Sequence, residues 1–213
     1  DIKNFQIIAH RGGGRNSERL GVSENSIPML RLAQQLGATG VEVDIVATKD
    51  GVPILFHDPT FTPRTVQGSY LIGNVNNYTF DQIRRHARLV NGEVIPTLEE
   101  ALDVIIQQTE LQMVWLDVKD ASITDAILQI QKDKAAEAEA RGRNVRFLFG
   151  IPDLDVLSAY ERSPHRGTVE TLCELSTDDA SSLDAAVWAP RFTAGVHRQN
   201  AQRMHDEGRD VSV

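Results

Sequence analysis

The chain has 213 residues, of which 41% are hydrophobic, enough for one substantial core, so we predict a single domain over residues 1–213. Its formal net charge of −8 argues against nucleic-acid binding, because contacts with a phosphate backbone rely on clustered Lys and Arg. No apolar run approaches the roughly 18 residues that span a bilayer, so no transmembrane segment is expected. The single cysteine, Cys173, has no partner for an internal disulfide and is expected in the core.

The first predicted strand, Phe5–His10, ends in a His-Arg pair that three glycines follow. A buried strand followed by a backbone that can bend presents polar side chains at the end of a sheet. Arg11 carries a planar set of donors suited to two phosphate oxygens, and His10 can transfer a proton near neutral pH. A helix is predicted next, over Ser26–Leu36, with its C-terminal stop at Gly37.

The second strand, Gly40–Val46, predicts a β-hairpin with a tight turn at residues 49–51. Glu42 and Asp44 project from the same face of this strand, and we expect His57 to lie across the hairpin from Asp44. Two carboxylates beside a histidine are what a metal-assisted phosphoryl or acyl transfer needs. The alternative is a half-solvated strand with its apolar face inward and its charges in water.

The segment between His57 and Pro96 contains prolines, glycines and asparagines and does not follow the strand–helix alternation of the rest of the chain. The next helix begins at Thr97 with a Thr-x-x-Glu capping box. A third strand, Met113–Val118, brings Asp117 close to a lysine two residues later, at position 119, on the same face. This pair is either a weak surface ion pair or part of a site.

A longer helix is predicted over Ile123–Ala140. Further strands are predicted at Val145–Phe149, Val169–Leu175, Ala185–Ala189 and from Val211 onwards, with helical stretches between them. Strands that alternate with helices favour an α/β architecture with a parallel sheet.

Six motifs follow one another along the chain: His10-Arg11-Gly12, Glu24-Asn25-Ser26, Glu42-Val-Asp44, His57-Asp58, Pro96-Thr-Leu-Glu-Glu100 and Asp117-Val-Lys119. Each motif is modest by itself, but the ordered set resembles that of the glycerophosphodiester phosphodiesterases, over residues 7–213. Two positions depart from the family pattern. Ser23 stands where the family usually has proline, and Asp117 stands where it usually has glutamate. The shorter acid predicts a looser metal contact, which Asp117→Glu should tighten.

The resemblance implies a (β/α)8 TIM barrel with a small insertion at about residues 58–95, after the hairpin of the second strand. Tyr70, Leu71 and Tyr78 can line the substrate site there, although packing of the insertion is the simpler interpretation. Such a barrel has eight strands and typically about 250 residues, and this sequence supplies seven strands. We therefore expect a last strand and helix, on the order of thirty residues, beyond Val213.

The activity implied by the resemblance is metal-dependent hydrolysis of glycerophosphodiesters to sn-glycerol 3-phosphate and an alcohol. The expected cofactor is a divalent cation, Mg²⁺ or Ca²⁺, because both ions prefer carboxylate oxygen. The expected site comprises the metal ligands Glu42, Asp44 and Asp117, the substrate-binding residues Arg11 and Lys119, and the catalytic residues His10 and His57. Either water or a neighbouring glycerol hydroxyl can be the nucleophile.

Two other functions stay open at this point. A lysophospholipase D-like phosphodiesterase that acts on lysophospholipids would need an apolar groove. The insertion of this chain is instead polar and rich in asparagine. A catalytically degenerate module that binds phosphorylated polyols is disfavoured, because both histidines and all three acids remain. The chain begins at Asp1 without methionine, so we expect a soluble protein with a slight lean towards the periplasm or secretion and the cytoplasm as the alternative.

Overall fold

The computed structural model describes residues 5–15, 17–68 and 70–213, so positions 1–4 and 16 of the predicted domain and position 69 of the predicted insertion lie outside the described residues. The strands are β1 Ile8–Ala9, β2 Gly40–Ala47, β3 Pro53–Leu55, β4 Thr60–Phe61, β5 Gly73–Asn74, β6 Met113–Val118, β7 Arg146–Ile151, β8 Thr171–Cys173, β9 Val187–Trp188 and β10 Asp210–Val211. The helices are α1 Ser17–Leu20, α2 Ile27–Gln35, α3 Phe80–His86, α4 Leu98–Gln108, α5 Thr124–Ala140, α6 Leu154–Arg162, α7 Thr177–Ser182 and α8 Arg198–Asp206.

The main sheet has the strand order of a (β/α)8 barrel. Its parallel strands are neighbours in the order β1, β2, β6, β7, β8, β9, β10, with a helix between each pair, and β3 adds to β2 in the antiparallel sense. The predicted α/β architecture with a parallel sheet is therefore confirmed. Within the described residues β1 and β10 form the two edges of this sheet, and the expected eighth strand stays a prediction.

Alternation along β2 decides which side chains enter the barrel. Val41, Val43 and Ile45 pack in the main apolar cluster with residues of α2 and α4 on the outside of the sheet. Since successive side chains of a strand point to opposite faces, Glu42 and Asp44 face the interior. Leu148 of β7 and Leu172 of β8, with Val187 and Ala189, form a separate cluster on this inner side.

The local signals for helix ends were predicted correctly. Thr97 accepts a hydrogen bond from the Glu100 amide at 3.1 Å, and the Glu100 carboxylate accepts one from the Thr97 amide at 2.9 Å, so the capping box of α4 is complete. Ser26 caps α2, and Gly37 lies just beyond its end with a positive φ of 97°. The first strand is shorter than predicted, because only Ile8 and Ala9 pair with β2.

The hairpin register corrects the predicted position of His57. Thr48 and Val52 close the turn, with the Val52 amide donating to Thr48 Oγ1 at 2.9 Å and the Thr48 amide donating to the Val52 carbonyl at 3.1 Å. Partners in the hairpin are therefore equidistant from residue 50, and the Phe56 amide donates to the Asp44 carbonyl. His57 lies one residue beyond the position opposite Asp44.

Residues 58–95 fold separately from the strand–helix alternation, as predicted. β4 and β5 form a two-stranded antiparallel sheet, α3 follows, and an apolar cluster that includes Phe56, Phe61 and Ile83 holds the segment against the barrel. Leu71 and Tyr78 pack against this cluster, whereas Tyr70 is 83% exposed. Within the described part of the chain, every helix is too short or too polar to span a bilayer.

Candidate active site

Three carboxylates meet at the carboxyl ends of β2 and β6. The parallel register pairs Asp44 directly with Asp117, and Glu42 lies two residues earlier on the same inner face. One oxygen from each side chain lies within 4.8 Å of the others, and all three residues are buried. The predicted convergence of Glu42, Asp44 and Asp117 is what the structure shows.

The cluster has the electrostatics of a cation site. Burial, followed by the charges of Asp44 and Asp117, raises the pKa of Glu42 well above its usual value. Burial also raises the pKa of Asp117, despite the nearby lysine. Within the described residues, Glu42 Oε1 and Asp117 Oδ1 are buried without a hydrogen-bond partner. Three adjacent carboxylates with unsatisfied oxygens fit a hard cation such as Mg²⁺ or Ca²⁺.

Lys119 lies against the same acids. Its ammonium group is 3.2 Å from Asp44 Oδ1 and forms a short ion pair with Asp117 Oδ2. Burial lowers the pKa of Lys119, but Asp117 and Asp44 together outweigh burial and raise it above its usual value. Lys119 therefore stays protonated and brings one positive charge to the cluster.

Arg11 is held in the left-handed region of the backbone, with φ 54° and ψ 37°. This conformation is strained for a residue with a Cβ, and the Arg11 amide is fixed by a 2.7 Å hydrogen bond to Glu42 Oε2. Its buried guanidinium donates to Glu24 Oε1 at 3.1 Å and lies 2.9 Å from His57 Nε2. The backbone thus places the positively charged Arg11 side chain between Glu24 and His57.

His57 belongs to a ring of charged side chains. Its Nδ1 is 2.7 Å from Asp58 Oδ1, and Asp58 Oδ2 accepts a 2.6 Å hydrogen bond from Arg64 of the insertion. Arg64 also donates to both oxygens of Glu24, at 3.0 and 3.2 Å, and Glu24 holds Arg11. Because the Asp58 carboxylate can only accept and the Arg11 guanidinium can only donate, these contacts assign the His57 proton to Nδ1, and the lone pair of Nε2 accepts from Arg11.

His10 lies on the open side of the cluster. Its Nε2 is 3.6 Å from Glu42 Oε2, and its side chain is 66% exposed. Burial of part of the ring lowers the pKa of His10, and the charge of Asp44 opposes this effect. The structure therefore brings both predicted histidines to the cluster, His10 next to Glu42 and His57 next to Arg11.

Four residues support the site without having been assigned to it from the sequence. Asn25 fixes Asp44 through its amide nitrogen, which donates to Asp44 Oδ2 at 2.9 Å, while the Asp44 amide donates to Asn25 Oδ1 at 3.2 Å. Glu24 and Asp58 belong to the motifs Glu24-Asn25-Ser26 and His57-Asp58, so the sequence could have indicated that both lie at the site. Arg64 belongs to none of the motifs, and the sequence did not indicate its role.

The departure at Ser23 has a structural explanation. Its amide and its hydroxyl both donate to the Glu93 carboxylate, at 2.8 and 2.7 Å. Proline has no N–H and could not make the first of these bonds. Ser23 thus ties the loop before Asn25 to the end of the insertion.

Fold and site together define an α/β-barrel protein with an acidic cluster, able to hold a cation, at the carboxyl ends of its strands. The model of the glycerophosphoryl diester phosphodiesterase family matches residues 10–213, and the chain belongs to this family.

Known proteins similar to this chain agree with this family. Glycerophosphodiester phosphodiesterase 1 of Mus musculus is 41% identical over 120 residues, which are 53% of this chain and 33% of the mouse protein. The glycerophosphodiester phosphodiesterase of Caldanaerobacter subterraneus is 37% identical over 105 residues, 46% of this chain and 40% of that protein. The chain thus spans only about a third of the length of the mouse relative.

Two solved structures share the fold. A glycerophosphodiester phosphodiesterase from Parabacteroides distasonis has a TM-score of 0.65 at 21% identity, covering 95% of this chain and 79% of its own. A phosphodiesterase from Oleispira antarctica, solved in complex with the product sn-glycerol-3-phosphate, has a TM-score of 0.61 at 21% identity, covering 97% of this chain and 91% of its own.

Proposed function

We propose that the chain hydrolyses glycerophosphodiesters to sn-glycerol 3-phosphate and an alcohol with the help of a divalent cation. The observation that carries this proposal is the buried cluster of Glu42, Asp44 and Asp117, with Lys119 against it and a histidine on each side. Membership of the family supports the reaction type, and the product bound to the Oleispira antarctica enzyme supports the product.

Glu42, Asp44 and Asp117 would hold Mg²⁺ or Ca²⁺. When bound, such an ion supplies charge neutralisation at a phosphate oxygen and lowers the pKa of a coordinated hydroxyl. Lys119 and Arg11 add two protein cations around the same space, which suits the anionic phosphodiester. Arg11 also holds the Glu42 carboxylate in place through its amide.

The two histidines would divide the proton transfers. His57 carries its proton on Nδ1 towards Asp58, so its Nε2 can accept a proton from the nucleophile once Arg11 turns from Nε2 to the substrate. His10, on the exposed side of Glu42, would give a proton to the departing alcohol. Asp58 would stabilise the protonated His57, because its carboxylate lies 2.7 Å from Nδ1.

A turnover assay tests this proposal. The purified protein is incubated with glycerophosphocholine, glycerophosphoethanolamine and lysophosphatidylcholine, and the products are identified. We expect sn-glycerol 3-phosphate from the first two substrates and little product from the third. His57→Ala and His10→Ala should each lower kcat by about 10²–10⁴-fold. Faster turnover of lysophosphatidylcholine would favour a lipid-directed enzyme, and near wild-type kcat in His57→Ala would contradict the proton-transfer role.

A further inference from the structure

A cavity of about 640 Å³ opens between the loops that follow β7, β8 and β9. Its walls include Glu174, Leu175, Pro190, Arg191 and Ala194. The carboxyl ends of parallel strands lie at one edge of a sheet, so this cavity and the site of Glu42, Asp44 and Asp117 share the same face of the barrel. Its volume is within the range of pockets that hold small molecules.

The strand register turns Glu174 towards the barrel interior. Asp117 pairs with Gly150, and Gly150 pairs with Leu172, so these three residues share one row and one face. Glu174 stands two residues after Leu172, as Lys119 stands two residues after Asp117. Both side chains therefore lie in the uppermost inner layer, two strand spacings or about 10 Å apart along the sheet.

The Glu174 carboxylate in the cavity wall has an oxygen atom whose hydrogen-bonding capacity is left unsatisfied. Among the described residues, its Oε2 is buried without a hydrogen-bond partner. Asp153, by contrast, caps α6 by accepting from the Val156 amide at 2.9 Å. Arg191 donates to the Pro152 carbonyl at 3.3 Å.

The surroundings of Glu174 disfavour its ionised form when no ligand is bound. Burial, followed by the charge of Asp117, raises the pKa of Glu174 to about 7, while Lys119 and Arg191 oppose the increase. A buried carboxylate is stabilised when a cation or a hydrogen-bond donor reaches it. A primary ammonium group of a ligand provides both a positive charge and donors, a quaternary ammonium group provides the positive charge, and an alcohol provides a donor only.

We propose that Glu174 binds the positively charged amino alcohol of the substrate, such as ethanolamine or choline, and so sets a preference for cationic head groups. This inference rests on the proposed function, because it places the phosphate at Glu42, Asp44 and Asp117. From there the head group extends across the inner face to Glu174. The apolar walls at Leu175, Pro190 and Ala194 suit the carbon atoms of such an alcohol.

The test compares substrates that share the glycerophosphate part and differ in the charge of the alcohol. The kcat/KM of the wild type and of Glu174→Gln is measured with glycerophosphoethanolamine, glycerophosphocholine and the uncharged-head-group substrate glycerophosphoglycerol. Gln keeps the shape and one acceptor oxygen but removes the charge. We expect kcat/KM to fall about tenfold or more for the two cationic substrates and less than twofold for glycerophosphoglycerol.

Two further variants complete the design. Glu174→Asp keeps the charge and should retain the preference for cationic head groups. Glu139→Gln removes the same charge from the exposed end of α5 and should change no substrate more than another. A thermal melt of each variant checks that it is folded.

An equal loss on all three substrates would overturn the assignment, because Glu174 would then act on the common glycerophosphate part or on the fold. Unchanged kinetics in Glu174→Gln would overturn it as well. If the wild type hydrolyses none of the three substrates, the proposed function itself fails, and the role of Glu174 fails with it.

Discussion

Among the three expected metal ligands, Asp117 is the one at which this chain departs from the family pattern. The shorter acid predicted slack in the site, yet Asp117 lies in register with Asp44, and its carboxylate reaches the same cluster. The β2–β6 pairing therefore delivers the side chain without the extra methylene. Lys119 forms ion pairs with both Asp44 and Asp117 and so joins the two aspartates.

Asp117→Glu should consequently weaken cation binding rather than tighten it. The longer side chain would have to fold back on the cluster, and Mg²⁺ tolerates misplaced ligands poorly because it demands near-octahedral contacts at about 2.0–2.1 Å. We expect a several-fold loss of Mg²⁺ affinity and a smaller change for Ca²⁺, measured by titration calorimetry. Tighter Mg²⁺ binding in the variant would show that the wild-type site has slack.

Glu174 gives a second prediction, which concerns the stability of the folded protein rather than turnover. Its pKa rises from 4.5 in the unfolded chain to about 7 in the folded protein, so the folded state binds the proton more tightly. Stability from this group is complete below about pH 4.5 and is lost as the pH rises through 7. Glu174→Gln stays neutral and should lose nothing over this range.

The melting temperature of Glu174→Gln should therefore exceed that of the wild type at pH 8 and approach it at pH 5, with EDTA present. Because Glu174 is partly exposed, solvent screening reduces the effect to on the order of 1 kcal/mol, which corresponds to about 2–4 °C in a domain of this size. The Glu139→Gln variant controls for the change in net charge. A difference in melting temperature that does not vary with pH would contradict the assigned cause.

At the scale of elements, the insertion does more than cover the barrel. It supplies Arg64, which joins Glu24 to Asp58 and so links the supports of Arg11 and His57. The contact between Arg64 and Glu24 joins residues 40 positions apart in sequence. Arg64 is thus a positioning residue, since it acts on His57 through Asp58.

Arg64→Met should lower kcat by about tenfold and leave cation binding nearly unchanged, because support residues behind a site typically contribute 10–100-fold. Proton NMR should also lose the signal of the His57 Nδ1 proton, which depends on a fixed Asp58. Arg85→Met is the matched control, since Arg85 pairs with Asp81 on the exposed side of α3 in the same insertion. A variant with normal kcat and a normal Nδ1 signal would show that Arg64 only stabilises the insertion.

The elements that depend on local sequence were predicted well. The α4 capping box and the end of α2 at Gly37 follow from residues within one helical turn, and β6 has the predicted bounds. The register of the hairpin was predicted one residue off, because it depends on which pair closes the turn. Long-range partners such as Arg64 could not be predicted, since no periodicity connects the insertion with Glu24.

At the scale of the whole molecule, the parallel sheet explains why the candidate site could be predicted from strand ends. Strands in sequential order put every carboxyl end on one face, so charged residues at the ends of β2 and β6 had to meet. Glu174 stands at the end of β8 by the same rule. It was missed because its strand ends in a single acid that belongs to no motif.

The same architecture explains why the proposed reaction should depend on a cation. Three buried carboxylates with unsatisfied oxygens repel one another unless a proton or a cation is shared among them. Lys119 brings a single positive charge, which leaves the cluster negative while Glu42, Asp44 and Asp117 are ionised. Binding of a divalent cation would both stabilise the fold and complete the site.

The most direct test is the turnover of glycerophosphocholine by the purified protein after treatment with EDTA and again after Mg²⁺ or Ca²⁺ is restored in excess. We expect EDTA to abolish formation of sn-glycerol 3-phosphate, at least one of the two ions to restore it, and neither ion to restore activity in Glu42→Gln. Turnover that persists unchanged in EDTA, with Glu42→Gln as active as the wild type, would show that the reaction does not depend on a cation at this cluster.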